Sequence, residues 1–143
     1  KKIKFFRGNE KDILQRFLDA AKKFDTDIII LYADLLYTKD LLINLMGKSL
    51  TLTYGCFSLS KLFIGNDSGL MHLSAASGIN TIGLFGPTRD DWYRPYGSNC
   101  HVIRTHETYK TLRDNMGKSN KSLMNSITIN DILNFIEKKN LIN

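Results

Sequence analysis

The sequence predicts an α/β domain built on a parallel sheet flanked by helices, and three observations carry that prediction. Residues 62–88 read as apolar run, short helix, apolar run, with a glycine-bearing turn after each run. A βαβ unit of this kind makes its strands parallel and its crossover right-handed. The length, 143 residues, suits one compact domain with a real core. Helical and strand-like patterns elsewhere in the chain supply covering layers for such a sheet.

The central unit sets the geometry. Leu62–Ile64 is a short apolar run closed by Gly65. Asn66-Asp67-Ser68-Gly69 offers N-caps and then a residue without a Cβ. Leu70 to Ser77 carries helix formers and small residues, and Gly78 is a natural stop. Thr81–Phe85 is the second apolar run, closed by Gly86-Pro87. In an open parallel sheet, ligands bind beyond the carboxyl ends of the strands. Gly65–Gly69 and Gly86–Thr88 therefore face one crevice. The first loop opens a helix whose free N–H groups and dipole suit an anion, phosphate above all. Gly69 admits close backbone approach, and His72, three residues on, is within hydrogen-bonding reach of the same ligand. Small Ser74, Ala75 and Ala76 let the helix lie close to the sheet. The same residues, taken alone, also fit a capped helix and an ordinary histidine.

The remaining elements follow in order. Lys2–Phe6 reads as a strand and Lys11–Phe24 as a helix, with Ile13, Leu14, Phe17, Leu18 and Ala21 on one stripe. Glu10 sits just past that strand, where a carboxylate accepts ribose hydroxyl protons or simply favours the helix dipole. Asp27–Ala33 is a clear β-run, and Leu35–Leu42 suits a short helix. Lys48 lies in a loop at the crevice edge, which is also an ordinary place for an exposed lysine. Ser49 or Thr51 starts a helix running to Ser60. Thr88 and Asp91 are spaced as a capping box. Trp92, Tyr93, Pro95 and Tyr96 form an aromatic cluster, expected to pack its loop onto the core, with a sugar-facing ledge as the alternative. His101–Arg104 is the last strand. Thr105 to Ser126 is expected to be loop with one short helix. The basic stretch 104–122 is expected beside the crevice. Thr128 and Asp131 form a second capping box before a closing helix, Ile129–Lys139.

Composition narrows the function classes. Apolar content is 43% and charged content 24%, ordinary for a globular protein. No run approaches the ~20 apolar residues of a spanning helix, and no signal-peptide pattern is present. The formal charge of +6 and pI of 9.3 suit an anionic partner or a solvated basic surface. The basic residues are scattered rather than interleaved with aromatics, so no nucleic-acid partner is expected. Cys56 and Cys100 are isolated and expected to be idle thiols in a reducing compartment. No Asp/Glu/His cluster predicts a metal site.

Gly-Asn-Asp-Ser-Gly-Leu-Met-His-Leu-Ser-Ala-Ala at 65–76, followed after one strand by Leu-Phe-Gly-Pro-Thr, resembles the signature of glycosyltransferase family 9. These are the ADP-heptose:lipopolysaccharide heptosyltransferases, and the resemblance is to their C-terminal, donor-binding domain. It runs from about residue 5 to the end and is densest over 43–104. Pro95-Tyr96-Gly97 resembles a family loop, Ile43–Met46 fits a short family strand, and the β-run at 27–33 departs from the pattern. Residues 122–133 look like the family's closing motif, especially that of the second heptosyltransferase of the inner core.

The resemblance implies the C-terminal half of a two-domain GT-B enzyme that transfers heptose from ADP-heptose to the lipopolysaccharide inner core with inversion. It implies donor contacts at Asp67, Ser68, Gly69, Leu70, Met71 and His72, with Gly86 and Thr88 from the second loop. It places Lys48 at the adenine end and Glu10, or Asp12, at the ribose. His72 would stabilise the leaving group, and Asp67 would accept from sugar hydroxyls or cap the helix. The acceptor's base belongs to the family's N-terminal domain, so residues 1–143 are expected to be a single donor domain that is inactive alone. The chain opens at Lys1-Lys2 without an initiator Met, and the family's first strand and Thr/Lys loop find no match in it. ADP-heptose is a substrate and no resident cofactor is implied, though Mg²⁺ riding on the pyrophosphate is compatible. The lipopolysaccharide acceptor implies a cytoplasmic protein with peripheral contact at the inner membrane. Other nucleotide-sugar enzymes of this architecture, epimerases included, would need catalytic carboxylates in the crevice, where the sequence offers only Asp67. A nucleotide- or nucleic-acid-binding module without activity is a further class that ligand binding separates.

Overall fold

The computed structural model describes residues 47–118 and 122–142. Glu10, Asp12 and the elements expected before residue 47 lie outside the described residues. The described elements are α1 (Leu50–Ser58), β1 (Leu62–Asn66), α2 (Gly69–Ala76), β2 (Asn80–Phe85), α3 (Asp90–Tyr93), β3 (Cys100–Arg104), α4 (Tyr109–Asp114) and α5 (Ile129–Lys139). The three strands form one sheet in the order β1-β2-β3, and both pairs are parallel. β1 continues through Gly65, which pairs with Gly83, to Asn66, so the strand ends two residues later than its apolar run.

Strand residues alternate between two buried faces, as a parallel sheet covered on both sides requires. Leu62, Ile64, Ile82, Leu84 and Ile103 form one core with Ile127, Ile132 and Leu141. Leu133, Phe135 and Ile136 of α5 pack against it, which accounts for the apolar stripe of that helix. Phe63 and Phe85 face the other way and join Phe57 of α1, Met71 of α2 and Ile79. The Phe57 and Phe63 rings meet edge to face at 5.5 Å. Fully burying a side chain such as Ile132 or Phe63 contributes about 1.5–3 kcal/mol.

Of the small residues of α2, Ser74 meets the sheet, while Ala75 is half-buried and Ala76 is exposed. Ser74 is fully buried and its Oγ lies 3.1 Å from Thr81 Oγ1. A Cβ on Gly83 would stand 2.6 Å from Met71 Sδ and 2.8 Å from the Phe85 ring. The glycine thus gives α2 the room to settle on β2. The helix ends where Gly78 takes a left-handed φ of +83°.

Ser49 is the N-cap of α1, accepting from the Leu52 N–H at 3.2 Å. At α5 the expected capping box forms. The Thr128 N–H donates to Asp131 Oδ2 at 2.8 Å, and the Asp131 N–H to Thr128 Oγ1 at 3.2 Å. Asn80 Nδ2 donates to the Leu141 carbonyl at 2.8 Å, tying the chain past α5 to the start of β2.

Candidate functional site

Parallel register brings the carboxyl ends of the strands to one edge. Asn66 stands level with Leu84, and Leu84 with Ile103. Residues 67–68, 86–89 and the chain beyond Arg104 therefore emerge together. α1 delivers the chain to the amino end of β1, so its own start lies toward the carboxyl edge. Lys48, one residue before the N-cap, is exposed there.

In the first loop, Ser68 is the N-cap of α2 in an extended conformation, and its side chain makes no capping bond. The Met71 N–H donates to the Ser68 carbonyl at 3.1 Å. The N–H groups of Gly69 and Leu70 have no acceptor among the described residues. Gly69 is exposed, and a Cβ there would meet nothing within 4 Å. His72 is exposed one turn along, on the helix face that carries Gly69, while Met71 and Ser74 face the sheet. Asp67 and Leu70 are half-buried, and Leu70 packs on the Phe57–Met71 core. The Met71 side chain is wholly in that core, so it stands apart from the loop surface formed by its neighbours.

The second loop is held from behind. Gly86 is buried, and a Cβ there would collide with Met124 Sδ and come within 3.2 Å of the Leu123 carbonyl. Arg104, the last residue of β3, reaches across to it. Its Nη2 donates to the Gly86 carbonyl at 2.6 Å. Its Nη1 donates to the Thr88 carbonyl at 3.0 Å and to Asp90 Oδ1 at 2.6 Å. α4 adds Tyr109, whose ring centre is 5.3 Å from the Arg89 guanidinium carbon and 6.0 Å from that of Arg104. The start of the basic stretch therefore lies at the second loop, as expected.

Two expectations for this loop are corrected. Thr88 and Asp91 do not form a capping box: Arg89 is the N-cap of α3, which has no side-chain cap. Asp91 is the second residue of that single turn and turns instead to Arg89, taking Nε at 2.9 Å and Nη2 alongside it. The hydrogen bonds from Arg89 hold the Asp91 carboxyl below its usual range. The aromatic cluster also does not pack onto the core. Trp92, Tyr93 and Tyr96 are 66%, 49% and 94% exposed, and only Pro95 is buried. Pro95 is in reach of Gly83 and fills the space left on that face by Met71 and Phe85, while Arg89 covers Trp92 at 3.9 Å from the ring centre.

Asp67, Asp90, Asp91 and Glu107 are the carboxylates described at or just beyond this edge; Asp90 and Asp91 are ion-paired with Arg104 and Arg89, and Glu107 accepts from the Ser126 hydroxyl. Sequence reasoning missed Arg89 and Tyr109 and the grip of Arg104 on the loop carbonyls, because these contacts form only across neighbouring elements. Among the described residues no group of three or more His, Cys, Asp or Glu could hold a metal ion. Cys56 and Cys100 are free thiols, and burial pushes Cys100 up.

A parallel sheet flanked by helices, with two loops at its carboxyl edge, is the Rossmann-like class of α/β domain. The model of glycosyltransferase family 9 (heptosyltransferase) matches residues 16–123, and the chain belongs to this family. No curated protein matches the sequence. Among solved structures, E. coli heptosyltransferase WaaC with ADP superposes with a TM-score of 0.53 at 18% identity, over 94% of this chain and 42% of that one. That likeness is one of fold, and the chain spans well under half the length of the solved one.

Proposed function

We propose that the chain is the donor-binding domain of an inverting heptosyltransferase of the two-domain GT-B type. The enzyme moves heptose from ADP-heptose to a sugar of the lipopolysaccharide inner core. The observation that carries this reading is the pair of amides, Gly69 and Leu70, that open α2 with no acceptor among the described residues, at the carboxyl edge of a family 9 chain. A helix N-terminus of this kind suits the pyrophosphate of the donor. The ADP named with the solved heptosyltransferase of like fold supports the same ligand class.

In this proposal His72 donates a hydrogen bond to the departing diphosphate and Asp67 accepts from sugar hydroxyls. Ser68, Thr88 and the backbone at Gly86 line the crevice, Lys48 lies at the adenine end and Glu10 at the ribose. Met71 contributes by seating the helix rather than by touching the donor. The base that deprotonates the acceptor comes from a separate acceptor-binding domain, and ADP-heptose needs no resident cofactor here. Lys110, Arg113 and Lys118 follow the second loop and suit the phosphates of a lipid acceptor at the cytoplasmic membrane face. No helix among the described residues is long and apolar enough to cross a membrane.

An epimerase of like architecture is disfavoured, because Asp90 and Asp91 are committed to Arg104 and Arg89. Titrating ADP, UDP and a DNA oligonucleotide into the protein tests the reading. Preferential ADP binding supports it, and preference for the oligonucleotide or binding of none contradicts it.

A further inference from the structure

We propose that Arg104 is a positioning residue for the donor site, acting through the peptide carbonyls of the second loop. The inference rests on reading 66–69 and 86–88 as the donor loops.

Arg104 ends β3 in register with Phe85, so its Cα is fixed beside the strand that feeds the loop. The adjacent Thr105 N–H donates to the Phe85 carbonyl at 2.9 Å, which continues the ladder past the strand end. From this anchor the planar guanidinium spends its fork on Gly86 and Thr88 carbonyls as well as on Asp90. The side chain is 22% exposed, so these charge-assisted bonds form in a partly desolvated place.

Peptides here are planar and trans. A carbonyl drawn toward Arg104 turns the rest of its peptide the opposite way. Fixing the carbonyls of Gly86 and Thr88 therefore fixes ψ at both residues: the first directs the Pro87 ring that leads into Thr88, and the second sets the direction in which the Arg89 N–H is presented. The loop's other side is closed by the Leu123 carbonyl and Met124 against Gly86. The loop is held between two walls, and among the described residues the donors to its Gly86 and Thr88 carbonyls come from Arg104. An ion pair for stability alone would need Asp90 and no more. A lysine keeps the charge but lacks the fork that spans two carbonyls and a carboxylate.

The test uses the full-length protein, with ADP affinity by calorimetry below each variant's melting midpoint. Arg104→Lys and Arg104→Gln are each expected to weaken ADP about tenfold. Asp90→Asn, which drops the ion pair and leaves both carbonyl bonds, is expected to weaken it by a much smaller factor. Millimolar methylguanidinium is expected to restore affinity to Arg104→Ala, and methylammonium is not. Wild-type affinity in Arg104→Lys and Arg104→Gln overturns the inference and leaves the donor reading intact. So does equal loss in Asp90→Asn and Arg104→Lys, or failure of methylguanidinium rescue. Failure of the wild type itself to bind ADP removes the donor reading, and this inference with it.

Discussion

Ser74 Oγ lies 3.1 Å from Thr81 Oγ1, and neither side chain is exposed. The pair pins the crossover helix to the strand it feeds, from inside the apolar layer. Each hydroxyl has a second acceptor: Ser74 donates to the Met71 carbonyl at 2.8 Å, and Thr81 reaches that of Ile79 at 3.2 Å. Thr81→Val keeps the shape and removes one hydroxyl, leaving Ser74 satisfied, so it is expected to cost about 1 kcal/mol. Thr81→Val and Ser74→Ala together should cost less than their sum, because each removes the same bond. Urea unfolding of the two single variants and the double variant measures this, and strict additivity would count against the pairing.

Thr128→Ala is expected to cost about 1 kcal/mol by removing the α5 cap. Its hydrogen bonds hold the Asp131 carboxyl below the usual range. A carboxyl held lower in the folded state gives stability that is present above its unfolded pKa and lost as pH falls. The gap between wild type and Thr128→Ala in chemical denaturation should therefore narrow on acidification. A constant gap from neutral to acid pH would contradict the capping account.

Much of this fold was legible because local signals agreed with one another. The β-runs at 62–64, 81–85 and 101–104, the αL stop at Gly78 and the Thr128–Asp131 box each follow from neighbours in sequence, and each formed. The crevice loops were also legible, since parallel strands fix which ends share an edge. What was not legible depends on residues brought together across strands. The Thr88–Asp91 spacing suits a cap, yet Arg89 offers Asp91 a charged fork two residues away. The aromatics at 92–96 suggest core, yet Met71, Phe85 and Pro95 already fill that face. Gly86 was legible as the close of the second apolar run, and the structure adds a packing reason from Leu123 and Met124, distant in sequence.

His101 supplies a second pH dependence. Its ring lies 5.5 Å from the Phe135 ring, and burial, then Lys139 and Arg94, pull its pKa below the ordinary histidine value. The unfolded chain therefore binds more protons through that window. Stability is complete above about pH 6.5 and falls as acid drives the half-buried imidazole to charge. His101→Gln should flatten the slope of stability against pH on the acid side of about pH 6.5. An unchanged slope in the variant would assign the dependence to other groups.

His72→Ala tests the leaving-group role in the intact enzyme. A hydrogen bond to a diphosphate strengthens as negative charge builds on departure. Such a charge-assisted bond is worth about 1.5–3 kcal/mol, so kcat should fall about tenfold or more while donor KM moves much less. Steady-state kinetics with the donor varied read both parameters. A rise in KM with kcat unchanged would make His72 a binding residue only.

The central claim is that the opening of α2 receives the donor diphosphate. Gly69 offers the sharpest lever, because its Cα faces open space and a side chain there would meet no protein atom within 4 Å. Gly69→Val should therefore fold normally while its side chain stands where the diphosphate approaches. ADP titrated by calorimetry into wild type and Gly69→Val, with matched melting curves, decides the matter. The account predicts binding by wild type and at least about tenfold weaker binding by the folded variant. Equal ADP affinity in the two proteins would contradict it.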